Sequence, residues 1–257
     1  MDDFEHAPVS VAGKTAVVIG GTSGIGRAIA RAFAADGADV IAASRTPERV
    51  AETAGELRDL GSETLEVTCD VTDRESLVAL RDAAFDELGD VDVLVNSPSA
   101  IARKGLRELT EEEWSDVLET QLTGVFRATQ LFAERMTDGS VVNIASLASH
   151  TSMRDLVAYS AAKGGVESFT RTAARELAPD VRVNAIRPGF IETEQTVDAY
   201  DEDSYRYRRV TERAAAGRIG NPQDVAGAAI YLASDAAPYT TGAMLSVDEG
   251  FETGAFE

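Results

Sequence analysis

The stretch Lys14 to Asp36, KTAVVIGGTSGIGRAIARAFAAD, joins a buried strand, a glycine turn and an amphipathic helix without a linker. Ala16, Val17, Val18 and Ile19 form an uninterrupted apolar run, which a parallel strand covered on both faces requires. Beyond the turn, Ile25, Ala28, Ile29, Ala32 and Phe33 recur at intervals of three and four, leaving Arg27, Arg31 and Asp36 on the opposite side of a helix. Gly20, Gly24 and Gly26 let the backbone turn tightly and approach a ligand, while the amides and positive dipole end of the helix face an arriving anion. The simplest such anion is a dinucleotide pyrophosphate. The spacing is G-x-x-x-G-x-G and not G-x-G-x-x-G, and taken alone it equally suits an ordinary strand-to-helix turn.

The remainder alternates in the same way and predicts an α/β chain with a doubly wound, parallel, seven-stranded Rossmann-type sheet flanked by helices. A second strand, Ala38 to Ala43, ends in Ser44 and Arg45. A carboxylate about 20 residues past the glycines suits the ribose hydroxyls of NAD, whereas an arginine without an acid suits the 2′-phosphate of NADP. Ser44-Arg45 therefore favours NADP(H) over NAD(H), although Arg45 also fits a solvated arginine at a helix start. A third strand, Thr64 to Cys69, runs into Asp70 and Val71, placed to meet an adenine amino group and ring; Asp70 equally suits a cap for the helix carrying Leu77, Leu80, Ala84 and Leu88. Strand four, Val91 to Val95, meets Asn96 at the carboxyl edge, where open α/β sheets place ligands. Thr110 to Glu113 has the form of a capping box opening a long helix through Trp114, Val117, Leu118, Gln121, Val125 and Phe126. Strand five, Val141 to Ala145, ends in Ser146. Tyr159 and Lys163 then stand four apart, on one helix face. Val181 to Ile186 and Met244 to Val247 supply strands six and seven, with a helix opened by Asn221-Pro222 between them.

Length and charge narrow the function. With 257 residues the chain suits one domain that buries its core without disulfide or metal, preceded by an acidic N-terminal tail over residues 1–10. No apolar run reaches membrane-span length and no secretion signal is visible, so a cytoplasmic location is expected. Cys69 is the single cysteine, read as a small core hydrophobe; with only His6 and His150 beside it, no metal site is expected. A net charge of -20 opposes nucleic acid and anionic membrane as partners. Lysine is confined to Lys14, Lys104 and Lys163 against 44 acidic residues, a balance resembling proteins of salt-loving organisms.

Gly20-x-x-x-Gly24-x-Gly26, Asn96, Ser146, Tyr159-x-x-x-Lys163 and Arg187-Pro188-Gly189 stand in this order, and on them the chain resembles the short-chain dehydrogenase/reductase family from Val11 to about Gly250. The resemblance implies that Tyr159 exchanges a proton with the substrate oxygen, its phenol made acidic by Lys163 and the nicotinamide charge, and that Ser146 holds the substrate carbonyl. It implies that Lys163 also binds the nicotinamide ribose. Gly20, Thr22, Ser23, Gly24, Ile25, Gly26, Ser97, Pro98, Pro188, Gly189, Ile191 and Thr193 would lie along the cofactor. Four positions depart from the family pattern. Gln121 replaces an active-site asparagine; Asn96-Ser97-Pro98-Ser99 replaces Asn-Asn-Ala-Gly; Asp248-Glu249-Gly250 replaces Asp-Gly-Gly; and Ile19 replaces a threonine. Residues 190–216 become a substrate lid. Its Arg206, Arg208, Arg209 and Arg213 would either receive an anionic substrate or pair with Asp201, Glu202, Asp203 and Glu212. The segment GRIGNPQDVAGAAIYLASD is most like 3-oxoacyl-[acyl-carrier-protein] reductases. Other readings are an NAD-dependent sugar, polyol or hydroxy/keto-acid dehydrogenase and, from another class, a dinucleotide-binding protein without turnover. A homo-oligomer, tetramer or dimer, through the helices Trp114–Met136 and Leu156–Ala178 is implied as well.

Overall fold

The computed structural model describes residues 6–200 and 203–253. Its frame is set by strands apolar on both faces. In β1 (Thr15–Ile19), Ala16 and Val18 enter one core while Val17 and Ile19 enter the other. This two-sided burial is why the run shows no polar alternation. β2 (Asp39–Ala43), β3 (Val93–Asn96), β4 (Gly139–Ile144), β5 (Val181–Pro188) and β6 (Met244–Val247) join it in an all-parallel sheet of order β2-β1-β3-β4-β5-β6.

Helices α1 (Gly24–Ala35) and α8 (Pro222–Ala233) cover one face, closing a core around Ile29, Phe33, Val142, Val225 and Leu232. On the other face, α3 (Arg74–Glu87) and α5 (Gly124–Ala133) bury Leu77, Leu80 and Phe132 against Leu94 and Val183. The order of strands reverses between β1 and β3, so the crevice for a ligand lies at their carboxyl ends.

The sheet has six strands where the sequence predicts seven. Residues 64–69 run beside β2 but hydrogen-bond to it only at the two ends of the path, Val40 N to Glu63 O at 3.1 Å and Cys69 N to Ser44 O at 2.9 Å, with an isolated Ser44–Thr68 bridge. Leu65 and Val67 still pack against the core, so burial persists where the ladder does not.

The long helix opened by Thr110 begins with the expected capping box: α4 (Glu111–Leu118) passes through a π-helical turn, Glu119–Thr123, into α5. The remaining elements are α2 (Pro47–Asp59), α6 (Val157–Glu176) and α7 (Tyr205–Arg213). Of the acidic tail, residues 1–5 lie outside the described residues, as do Asp201 and Glu202 of the expected lid pairs. Among the described residues no helix is long and apolar enough to cross a membrane.

Candidate active site

A cavity of about 570 Å³ opens at the carboxyl ends of the strands. Its floor is the glycine turn. Gly20 adopts φ +77°, and a Cβ there would stand 2.3 Å from the Ser97 carbonyl oxygen; a Cβ on Gly26 would stand 2.2 Å from the carbonyl oxygen of Gly20. Only glycine permits strand, turn and the loop after β3 to approach so closely. Ser23, the N-cap of α1, makes no capping side-chain bond, and the first turn carries no acid, so the helix start offers free amides to an anion. Thr22, Ser23, Gly24 and Ile25 line the cavity there. A dinucleotide pyrophosphate fits this cradle.

Toward β2 the wall is Ser44, Arg45, Thr46 and Arg49, with the Ser44 hydroxyl accepting from Thr22 at 2.8 Å. Arg49 pairs with Glu194 at 3.1 Å. Asp70 and Val71 line the next portion. The Asp70 carboxylate accepts from the Thr72 amide at 2.9 Å and its hydroxyl at 2.7 Å, while the cap of α3 is Asp73. Asp70 is therefore not that helix's cap. Cys69 is buried, its thiol pushed up to about 11 by burial, consistent with an inert core role.

At the other end Ser146, Tyr159 and Lys163 meet on one wall. α6 carries Tyr159 and Lys163 one turn apart, while Ser146 enters from the end of β4, its Oγ accepting from the Ala148 amide at 3.1 Å. The Ser146 hydroxyl stands near enough to the Tyr159 phenol to favour its ionised form. Lys163 is buried and donates to the carbonyl of Ile144 at 2.7 Å, with Nζ 5.7 Å from the centre of the Tyr159 ring. Burial lowers the Lys163 ammonium to about 7. Burial likewise raises the Tyr159 phenol, opposed by Ser146 and by the Arg103 guanidinium. In the protein alone desolvation sets the direction of the phenol's shift, and Lys163, one of whose N–H groups is directed to the Ile144 carbonyl, does not offset it.

Pro188, Gly189, Ile191 and Thr193 close the cavity from the far side, and Ser97 and Pro98 from below. Three predicted residues stand apart from the cavity wall. Gly26 lies beneath the turn. Asn96 is buried, its amide donating to Asn143 Oδ1 at 2.9 Å and Thr129 Oγ1 at 3.2 Å, so it fastens β3 to β4 and α5. Gln121 sits in the π-helical turn and donates to the Ala100 carbonyl, its side-chain oxygen buried without a hydrogen-bond partner among the described residues. Arg49, Arg103 and Met153 line the cavity without any sequence signal that marks them, while Phe190 and Gln195 enter it from the expected lid segment. Among the described residues no cluster of histidine, cysteine and carboxylates could hold a metal.

This doubly wound sheet with a serine, tyrosine and lysine converging beside a dinucleotide cradle defines a nicotinamide-dependent oxidoreductase site. The family model described as enoyl-(acyl carrier protein) reductase matches residues 20–252. The 3-oxoacyl-[acyl-carrier-protein] reductase FabG of Vibrio cholerae is 38% identical over 247 residues, 94% of this chain and 98% of the relative. The 2-dehydro-3-deoxy-D-gluconate 5-dehydrogenase of Bacillus subtilis is 37% identical, covering 96% of this chain and 98% of its own. A crystal structure described as an NAD(P)-dependent gluconate 5-dehydrogenase from Beutenbergia cavernae with NADP bound superposes with a TM-score of 0.90 at 39% identity, covering 96% and 99% of the two chains. The chain belongs to the short-chain dehydrogenase/reductase family, NAD(P)-dependent enzymes acting on CH–OH and carbonyl groups.

Proposed function

We propose that the chain transfers hydride between NADP(H) and a carbonyl or secondary alcohol, with Tyr159 as proton donor and acceptor. The observation that carries this reading is the meeting of Ser146, Tyr159 and Lys163 on the wall of the cavity that the glycine turn floors. When bound, the nicotinamide dinucleotide supplies the hydride in reduction and accepts it in oxidation. Ser146 orients the substrate oxygen, and the phenol, kept protonated by its buried setting, gives its proton to that oxygen as the new C–H bond forms. Lys163 spends one N–H on Ile144 and keeps two further donors for a ribose hydroxyl and for the phenolate left behind. In oxidation the same bonds break in reverse, and the hydroxyl proton passes to Tyr159.

The choice of NADP(H) over NAD(H) is supported by Ser44 and Arg45 at the end of β2. Residues 190–216 act as a lid, and the chain is one domain. The substrate side admits two readings, a 3-oxoacyl thioester or a sugar, polyol or hydroxy/keto acid; relatives named for both kinds stand at similar identity. A homo-oligomer through α4, α5 and α6 is supported by exposed Trp114 and by Phe126, which meets Phe169 edge-on at 6.2 Å. A cytoplasmic, salt-rich setting suits the acidic surface.

The experiment is NADPH consumption across a carbonyl panel in concentrated KCl. Tyr159→Phe should lower kcat by at least about 10²-fold while NADPH still binds. Undiminished turnover in that variant refutes the proton-transfer role, and cofactor binding without any Tyr159-dependent turnover favours a binding protein instead.

A further inference from the structure

Beyond Tyr159 the cavity wall changes character. Arg103 enters from the loop after β3 and Arg206 from α7, with Tyr200 and Phe190 beside them. The Arg206 guanidinium lies over two rings, 5.6 Å from the centre of Tyr200 and 5.9 Å from that of Phe190, which fixes its direction without neutralising it. Its charge also acts on the Tyr200 phenol, favouring the ionised form. Arg103 is close enough for its charge to act on both the Tyr159 and the Tyr200 phenols.

Among the described residues no carboxylate comes within ion-pair distance of either arginine, although acids outnumber bases 44 to 24 in the chain. Elsewhere on the lid Arg209 pairs with Glu212 at 3.6 Å, while Arg208 donates to the main-chain carbonyl of Asp203 at 2.9 Å. The phosphate-binding end of the cavity is separate, built by Arg45, Arg49 and the start of α1. Arg103 and Arg206 thus stand at the reacting end, around the proton donor, and a guanidinium fork with free donors is suited to a carboxylate.

We propose that Arg103 and Arg206 form a carboxylate subsite, so that the molecule presented to Tyr159 is a small hydroxy or keto acid. This rests on the hydride-transfer reading and narrows its substrate class. The acid group is held at the lid while the carbinol or carbonyl carbon faces Ser146 and Tyr159. A neutral ketone of the same skeleton leaves both guanidiniums without a partner and loses the orientation they give.

The test uses the full chain with NADPH in concentrated KCl. The probes are pyruvate, acetoacetate, 4-oxopentanoate and 5-oxohexanoate, each beside its methyl ester, and the uncharged 3-oxo thioester acetoacetyl-N-acetylcysteamine. At least one acid should exceed its ester in kcat/KM by about 10- to 100-fold, the span of a charge-assisted hydrogen bond. Arg103→Leu and Arg206→Leu should each collapse that acid-to-ester ratio toward one, mainly through KM, while Arg208→Leu keeps it. Calorimetric binding of glutarate to the wild type, weakened about tenfold or more in Arg103→Leu and Arg206→Leu, gives a second readout independent of turnover. A preference for ester or thioester, or a ratio indifferent to both substitutions, overturns the subsite alone. Absence of Tyr159-dependent turnover with every probe overturns the hydride-transfer reading beneath it.

Discussion

Glu167 follows Lys163 by one helical turn and Tyr159 by two, so all three lie along one face of α6. Its carboxylate accepts from Arg187 Nε at 2.8 Å and Nη2 at 3.0 Å, and from the Ser149 hydroxyl, which itself lies 2.5 Å from the carbonyl of Ser146. Arg187 leads directly into Pro188-Gly189 and also reaches Glu252 at 3.3 Å, which His150 meets at 2.7 Å. One buried pair, with side chains 8% and 13% exposed, therefore ties the catalytic helix, the Ser146 loop and the end of β5. Glu167→Gln strands the Arg187 charge, and removing one partner of a buried pair costs about 3–5 kcal/mol. Because Glu252 keeps part of the guanidinium satisfied, the lower end, about 3 kcal/mol, applies, or a fall in Tm of about 6–12 °C in a chain of this size. Burial raises the Glu167 carboxyl, but Arg187, Ser149 and His150 outweigh it and leave it below its ordinary 4.5. The contribution is thus complete above that value and is lost as pH falls through the lower folded-state pKa. Thermal unfolding by circular dichroism in concentrated KCl should show the gap between wild type and Glu167→Gln at neutral pH and its narrowing below about pH 4.5. A fall of under about 2 °C, or a gap untouched by acid, refutes the reasoning.

Lys163→Met should abolish turnover yet raise Tm. The ammonium has a folded-state pKa of about 7 against an ordinary 10.5, so burial of its charge destabilises most below pH 7, and the gain should shrink as pH rises toward 10.5. Arg45→Asp should shift the kcat/KM ratio from NADPH toward NADH by about tenfold or more, since a carboxylate repels a 2′-phosphate and accepts from ribose hydroxyls; an unchanged ratio removes Arg45 from cofactor choice. Gly26→Ala drives a methyl to 2.2 Å from the Gly20 carbonyl and should weaken NADPH binding, measured by fluorescence titration, at least about tenfold; unaltered affinity means the turn is not the cradle. Light scattering in concentrated KCl should give a dimer or tetramer mass, with Phe126→Glu shifting it to the monomer.

What the sequence made legible was what local periodicity encodes. The apolar run of β1, the stripe of α1 and the four-residue interval of Tyr159 and Lys163 each follow from one element's geometry, so they stood before any tertiary contact was known. Asn96 went differently because its partners Asn143 and Thr129 lie 47 and 33 residues away and no spacing announces a polar cross-link between strands. Gln121 is turned aside by a π-helical turn that leaves no sequence signature, and Arg103 lies on a loop without period. Desolvation is illegible for a related reason: spacing reports the nearness of Tyr159 to Lys163, not the burial that both groups share.

An acidic shell and a cavity lined by arginines coexist here because they act over different lengths. With 44 acids against 24 bases, the average surface repels anions, but at about 1 M salt the Debye length is about 3 Å and that field ends close to the surface. Arg45 and Arg49 at one end of the cavity and Arg103 and Arg206 at the other are exposed, so they act on a ligand at contact range, within the distance over which salt screens little. Concentrated salt therefore removes the long-range repulsion sooner than the short-range recognition. The KM for NADPH should accordingly fall as KCl rises from low to intermediate concentration, the opposite of the trend expected when binding is driven by exposed cations alone.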